Sequence, residues 1–81
     1  MPASDSSSTP FIPFTLRGEF IELDKLLKVC GLVDSGGAAR HLISEGQVQV
    51  DGATELRKTA KIRAGQVVEF GGQRIEVAAA P

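Results

Sequence analysis

The sequence predicts an α+β fold in which two short helices, packed antiparallel, lie against a small, mainly antiparallel sheet. Three observations predict it. Leu23, Leu26, Leu27 and Cys30 recur at i, i+3, i+4 and i+7, which is a helical stripe. Only Gly31 to Asp34 separate that stripe from a second amphipathic segment opening at Ser35, so the two helices must fold back on each other. From Gln47 onward, apolar and polar residues alternate, and Asp51-Gly52 and Gly71-Gly72 punctuate the alternation as two-residue turns.

Taken in order, Met1 to Pro13 contains four serines, three prolines and one threonine. Few of these groups can pack, so residues 1–13 are expected to be a disordered tail. Phe14-Thr15-Leu16 alternates as a short strand that Gly18 ends, and pairing with a later strand would tie the chain start to the sheet. The first helix is expected over about Glu22 to Cys30. Glu22 and Asp24 fall in its first turn and Lys28 in its last, the order the helix dipole favours, and Gly31 supplies the left-handed exit. In the second helix Ser35 is the N-cap, Ala39, Leu42 and Ile43 form the buried side, and Gly46 is the stop. Small Ala38 and Ala39 would let the two helices approach closely.

Val48 and Val50 then alternate with Gln47 and Gln49 ahead of the Asp51-Gly52 turn. Leu56 and Ile62 are read as apolar anchors on either side of a basic segment, and Ala64-Gly65 as a turn. The last hairpin joins Val67–Phe70 to Gln73–Val77, with Val68, Phe70, Ile75 and Val77 facing inward. Residues 78–81 are a fraying end.

Eighty-one residues suffice for one domain and not for two. A single cysteine excludes an internal disulfide framework and suits a reducing compartment. The first residues do not read as a signal peptide, and no run approaches the length of a membrane span, so a cytoplasmic protein with no membrane partner is expected. Nine basic and ten acidic residues give a net charge of -1, which argues against coating in nucleic acid by bulk charge. The charge is segregated, however. Arg57, Lys58, Lys61 and Arg63 place four cations in seven positions with no acid among them, whereas Glu19, Glu22 and Asp24 gather at the start of the first helix. Phosphate contact is the chemistry such a cluster offers.

Gly36-Gly37 opens the second helix at a cost of about 1 kcal/mol each relative to alanine. Two readings stand side by side: the glycines permit a tight turn against the first helix, or their unobstructed amides form an anion-binding nest within reach of Arg40. Lys25 and Lys28, on the outer side of the first helix, would extend the basic face. Tryptophan and tyrosine are absent, so single-strand binding by stacking is disfavoured and shape recognition of folded RNA fits better. His41 is the only histidine and Cys30 lies on a buried stripe; no nucleophile, base and orienting group can be assembled, and metal-ligand spacing is missing. The chain is therefore expected to be neither an enzyme nor a cofactor protein.

The ordered series Ile21-Glu22-Leu23-Asp24-Lys25-Leu26-Leu27-Lys28, Gly31 to Arg40, Leu42 to Gly52, Glu55-Leu56-Arg57-Lys58 and Lys61 to Val68 resembles the alpha-L RNA-binding domain first described in ribosomal small-subunit protein S-four, and within it the stand-alone bacterial, YbcJ-like branch. The resemblance covers about residues 14–77 and implies a domain with those bounds. It implies a non-catalytic module for structured RNA, ribosomal or tRNA-like, with the ribosome or its assembly factors as further partners; separately, a monomer is expected. The face it implies comprises Lys25 of the first helix, the start of the second from Ser35 through Gly36 and Gly37 to Arg40, and Arg57, Lys58 and Lys61 beyond the hairpin; Lys28 and Arg63 are added to it on charge alone. The broad family often carries a basic residue where this chain has Gly36, and its stand-alone branch a more basic run where this chain has Ala60; both departures lower the expected charge. The alternative is a small protein-interaction adaptor without a nucleic-acid ligand, suggested by near-neutral charge and by Phe11 and Phe14.

Overall fold

The computed structural model describes residues 11–81; the stretch 1–10 of the expected tail lies outside the described residues. The element order is β1 (Ile12–Leu16), β2 (Ile21–Glu22), α1 (Leu23–Val29), α2 (Gly36–Ser44), β3 (Val48–Val50), β4 (Ala53–Thr54), β5 (Lys61–Ile62), β6 (Val67–Phe70) and β7 (Gln73–Ala79). Five strands form one sheet in the order β1-β7-β6-β3-β4, and β2 and β5 form a separate two-stranded ladder. Every pair is antiparallel except β1 with β7, which run parallel from Ile12↔Ile75 to Leu16↔Ala79. The two helices pack against one face of the sheet, as the periodicity predicts.

The sheet extends beyond its expected limits at both ends. β1 begins at Ile12, two residues before the expected strand and inside the expected tail, and β7 runs on to Ala79. Pro13 is tolerated there because β1 is an edge strand, where a missing N–H leaves no ladder bond unmade in the sheet interior.

Both helices end by the same device. The amide of Gly31 donates to the Lys28 carbonyl and that of Leu32 to the Leu27 carbonyl; in α2 Gly46 donates to Ile43 and Gln47 to Leu42. Gly31 and Gly46 take φ of 76° and 80°, the left-handed geometry that this doubly bonded terminus requires. At the front of α2 the Ser35 hydroxyl accepts the Ala38 amide at 3.1 Å, the capping expected from its place. α1 has no side-chain cap; the ladder residue Glu22 precedes it directly instead of opening the helix as expected.

The core is built from Leu23, Leu26 and Leu27 of α1, Ala39 and Ile43 of α2, and Val48, Val68, Ile75 and Val77 of the sheet. Phe14, Cys30 and Phe70 pack against its edge, half-buried. One expectation about the basic segment is corrected, and the gap in its run of cations gains a physical reason. Leu56 is 59 % exposed and anchors nothing, whereas Ala60, expected to be a gap in a run of cations, is buried beside Ile62. A small side chain at position 60 lets the backbone come close enough for its carbonyl to accept the Leu23 amide at 2.9 Å.

Asp51 and Gly52 turn the β3–β4 hairpin with φ of 52° and 84°, the doubly left-handed geometry of a two-residue turn. Asp51 also reaches across to the sheet: its carboxylate accepts the Val67 amide at 3.0 Å and the Gln66 side-chain amide at 3.1 Å. The first of these bonds, then the second, holds its carboxyl below the usual value of 3.8. A depressed pKa in the folded state gives a contribution that is present above the unfolded value and lost as pH falls through the folded one. The urea midpoint is thus expected to drop between about pH 5 and pH 2, and Asp51→Asn should show a smaller drop over that window than the parent chain.

Candidate nucleic-acid interface

The basic segment is far from α1 in sequence and is brought to it by backbone hydrogen bonds. The Leu23 amide donates to the Ala60 carbonyl and the Asp24 amide to the Lys58 carbonyl at 3.2 Å. Those amides belong to the first turn of a helix and would otherwise lack acceptors; the 58–60 loop supplies them. The β2–β5 ladder continues the join, pairing Glu22 with Lys61 and Ile21 with Ile62. Side chains alternate across this ladder, so the inward pair Ile21 and Ile62 leaves Phe20, Glu22, Lys61 and Arg63 on the outer side. The Lys61 ammonium sits 5.0 Å from the centre of the Phe20 ring, a cation–π contact.

Residues 22–24 are consequently the hub of the face. Lys25 Nζ lies 3.1 Å from a Glu22 carboxylate oxygen, Arg40 Nη1 donates to Asp24 Oδ2 at 3.2 Å, Lys61 is the ladder partner of Glu22, and the Lys58 backbone is bonded to Asp24. Cations spread over 37 positions of sequence, Lys25 to Lys61, thus converge on three consecutive residues. Lys28 lies one turn further along α1, on the exposed side with Lys25.

The cations differ in what they have left to offer. Among the described residues, Lys28, Lys58, Lys61 and Arg63 have no carboxylate within ion-pair distance, whereas Lys25, Arg40 and Arg57 each have one. Arg57 is the most engaged: its Nε and Nη2 fork onto the two oxygens of Glu55 at 3.0 and 3.2 Å. That pair, through its hydrogen bonds first and charge second, raises the Arg57 pKa, while the same bonds lower that of Glu55. Counting the local groups, Lys25, Arg40, Arg57, Lys58, Lys61 and Arg63 face Glu22, Asp24 and Glu55, an excess of three positive charges on a chain whose net charge is -1. The outer face of the sheet, by contrast, sets Glu69 and Glu76 against Arg74 alone.

Asp24 is the residue that sequence reasoning missed. It was read as a first-turn acid serving the helix dipole, yet its side chain is only 6 % exposed. Oδ1 accepts the Lys25 amide at 2.9 Å and Oδ2 takes Arg40. The spacing that could have shown it is Gly36 to Arg40, one helical turn: a Cβ at position 36 would stand 3.2 Å from Arg40 Nη1. Gly36 therefore leaves room for a guanidinium, a third explanation beside the tight turn and the anion nest. The amides of Gly36 and Gly37 find no acceptor among the described residues.

The remaining reactive groups are separate. Burial raises the pKa of the Cys30 thiol, keeping it protonated, at the C-terminal cap of α1. His41 is exposed on α2 with Nε2 3.2 Å from Glu45. Among the described residues no three His, Cys, Asp or Glu side chains cluster as metal ligands, and no helix is long and apolar enough to cross a membrane.

Comparison with known proteins identifies the family. A family model described as the S4 domain matches residues 14–78. The chain is 52 % identical over 59 residues to the Escherichia coli protein named "Putative RNA-binding protein YbcJ", a match covering 73 % of this chain and 84 % of that one. It is 35 % identical over 60 residues to the Bacillus subtilis protein named "Probable ribosome maturation protein RlbA", covering 74 % and 84 %. The solution structure of E. coli YbcJ, described as revealing an alfa-L motif involved in RNA binding, superposes with a TM-score of 0.69 at 45 % identity, over 89 % of this chain and 92 % of that one.

Proposed function

The chain belongs to the S4 domain family, and from that premise we infer that it is a non-catalytic RNA-binding protein that holds structured RNA by its phosphate backbone on the basic face around the start of α1. The observation that carries this reading is the convergence of Lys25, Arg40, Lys58 and Lys61 on residues 22–24, fixed by backbone hydrogen bonds rather than by flexible side chains alone. Arg63 shares the outer side of the β2–β5 ladder, and Lys28, Ser35, Gly36 and Gly37 border the same region. Arg57 completes the assigned face in a supporting role. The RNA-binding unit is residues 14–77, with Ile12 and Pro13 joined to it through β1.

The ligand class follows from the chemistry of the face. Local positive charge, with Phe20 the one aromatic beside it among the described residues and already under Lys61, suits the phosphates of an A-form helix, whose spacing is read by shape. Ribosomal or ribosome-associated RNA is the proposed substrate, supported by the name of the B. subtilis relative. The adaptor reading loses one of the two phenylalanines that suggested it, because Phe14 packs against the core while Phe11 is exposed; the near-neutral net charge stays in its favour.

Filter binding with purified bacterial 16S and 23S ribosomal RNA tests the reading. Affinity is expected to fall by roughly a factor of 10² or more between about 50 and 200 mM salt, as release of counterions from several phosphates demands. Binding that is absent at the lower salt, or indifferent to salt, would remove the phosphate-contact mechanism. Because Arg57 is already forked onto Glu55 in open solvent, Arg57→Ala should change affinity by less than about threefold, measured in the same assay.

A further inference from the structure

The buried Asp24 carboxylate has no place in a simple basic face, since a negative charge beneath a phosphate site weakens it. Its geometry suggests a different task. Asp24 bonds only Nη1 of Arg40, and the Arg40 side chain is 49 % exposed. Nε and Nη2, the edge that forms side-on forks with oxyanions, have no partner among the described residues. Arg57 shows what such an edge does when an anion is near, gripping both oxygens of Glu55 with the same two nitrogens. Asp24 is itself held, through its own amide by Lys58 and through Oδ1 by the Lys25 amide. The guanidinium is therefore clamped on one edge by a fixed carboxylate and open on the other.

We propose that Asp24 is a positioning residue that orients Arg40 so that its Nε–Nη2 edge forks one phosphodiester of the RNA, and that Gly36 is a glycine because a side chain there would push the guanidinium out of this pose. The proposal rests on the RNA-binding reading above. An arginine fixed in advance loses less freedom on binding than one that must be ordered by the ligand, and it presents a planar fork rather than a point charge. Lys58, tethered to the same residue, stands ready for a neighbouring phosphate. The bland alternative is an ion pair that merely joins α1 to α2.

The two accounts give opposite signs. If Asp24 only joins helices, Asp24→Asn removes a negative charge near the phosphates, and affinity for 16S and 23S ribosomal RNA should rise or stay level once the protein is shown to be folded. If it positions Arg40, affinity falls by about tenfold, the scale of a charge-assisted hydrogen bond. Gly36→Ala supplies a variant that keeps the fold: position 36 has helical backbone, and a Cβ there would meet only the tip of the flexible Arg40 side chain. Positioning predicts weaker RNA binding in this folded protein, and in the Arg40→Ala background neither substitution should weaken binding further. Parent-like affinity of Gly36→Ala, or parent-like or tighter binding by Asp24→Asn, overturns the proposal. Lys58→Glu/Lys61→Glu, measured beside them, separates the two failures. If that variant also binds like the parent, the RNA face itself is wrong; if it loses binding, only the clamp is.

Discussion

Replacing Lys58 and Lys61 together with glutamate is expected to lower affinity for ribosomal RNA by at least about tenfold and to flatten its logarithmic salt dependence by about 1.4 to 1.8, the share of two phosphate contacts. The pair is chosen from the structure. Both side chains are exposed, neither has a carboxylate within ion-pair distance among the described residues, and each is fixed by its backbone to the start of α1. Their charge is thus available to a ligand without first breaking an existing pair. The fold should hold with a small loss of stability: Lys58 contributes only a carbonyl, whereas Lys61→Glu gives up the Phe20 contact and sets a second carboxylate opposite Glu22, an exposed pair worth about 1 kcal/mol or less. Far-ultraviolet circular dichroism and melting temperature check that half of the expectation, and quantitative filter binding at several salt concentrations checks the other. Affinity and salt slope both equal to the parent would remove this face from the interface.

A second large effect lies in the opposite direction of charge. Ala60→Lys adds a cation to a run of cations, and on charge alone it should strengthen binding. It is instead expected to destabilise the protein by about 2–3 kcal/mol, through overpacking and the cost of burying part of a charged side chain. For a domain of this size that lowers the melting temperature by about 10–20 °C. The reason is that position 60 is 6 % exposed and its carbonyl receives the Leu23 amide. A longer side chain must either enter the core beside Ile62 or displace the loop that carries Lys58. RNA binding should weaken with the loop, most visibly near the new melting transition. A variant that melts with the parent and binds RNA more tightly would show that position 60 has room to spare.

These two substitutions locate the boundary between what was legible in the sequence and what was not. The helices, both glycine stops, the Ser35 cap and the Asp51-Gly52 and Gly71-Gly72 turns were all readable, because each depends on a few adjacent residues and on local backbone sterics. The resemblance to the alpha-L RNA-binding domain was readable for the same reason, being an ordered series of such local signals, and the family match bears it out. The β2–β5 ladder was missed, since two-residue strands carry no period. Leu56 was misread, and the burial of Ala60 not foreseen, because an isolated apolar or small residue in a loop does not say which way it points.

The sequence by itself determined the two-helix-and-sheet class and the family, because helix stripes, caps and turns are written in neighbouring residues. Tertiary structure alone decided which cations are free and which are held: Arg57 is taken up by Glu55, Arg40 is clamped on one edge by Asp24, and Lys58 and Lys61 stand open. Electrostatic availability depends on separations of a few ångströms between residues far apart in the chain, and on burial, neither of which a linear pattern of charges contains.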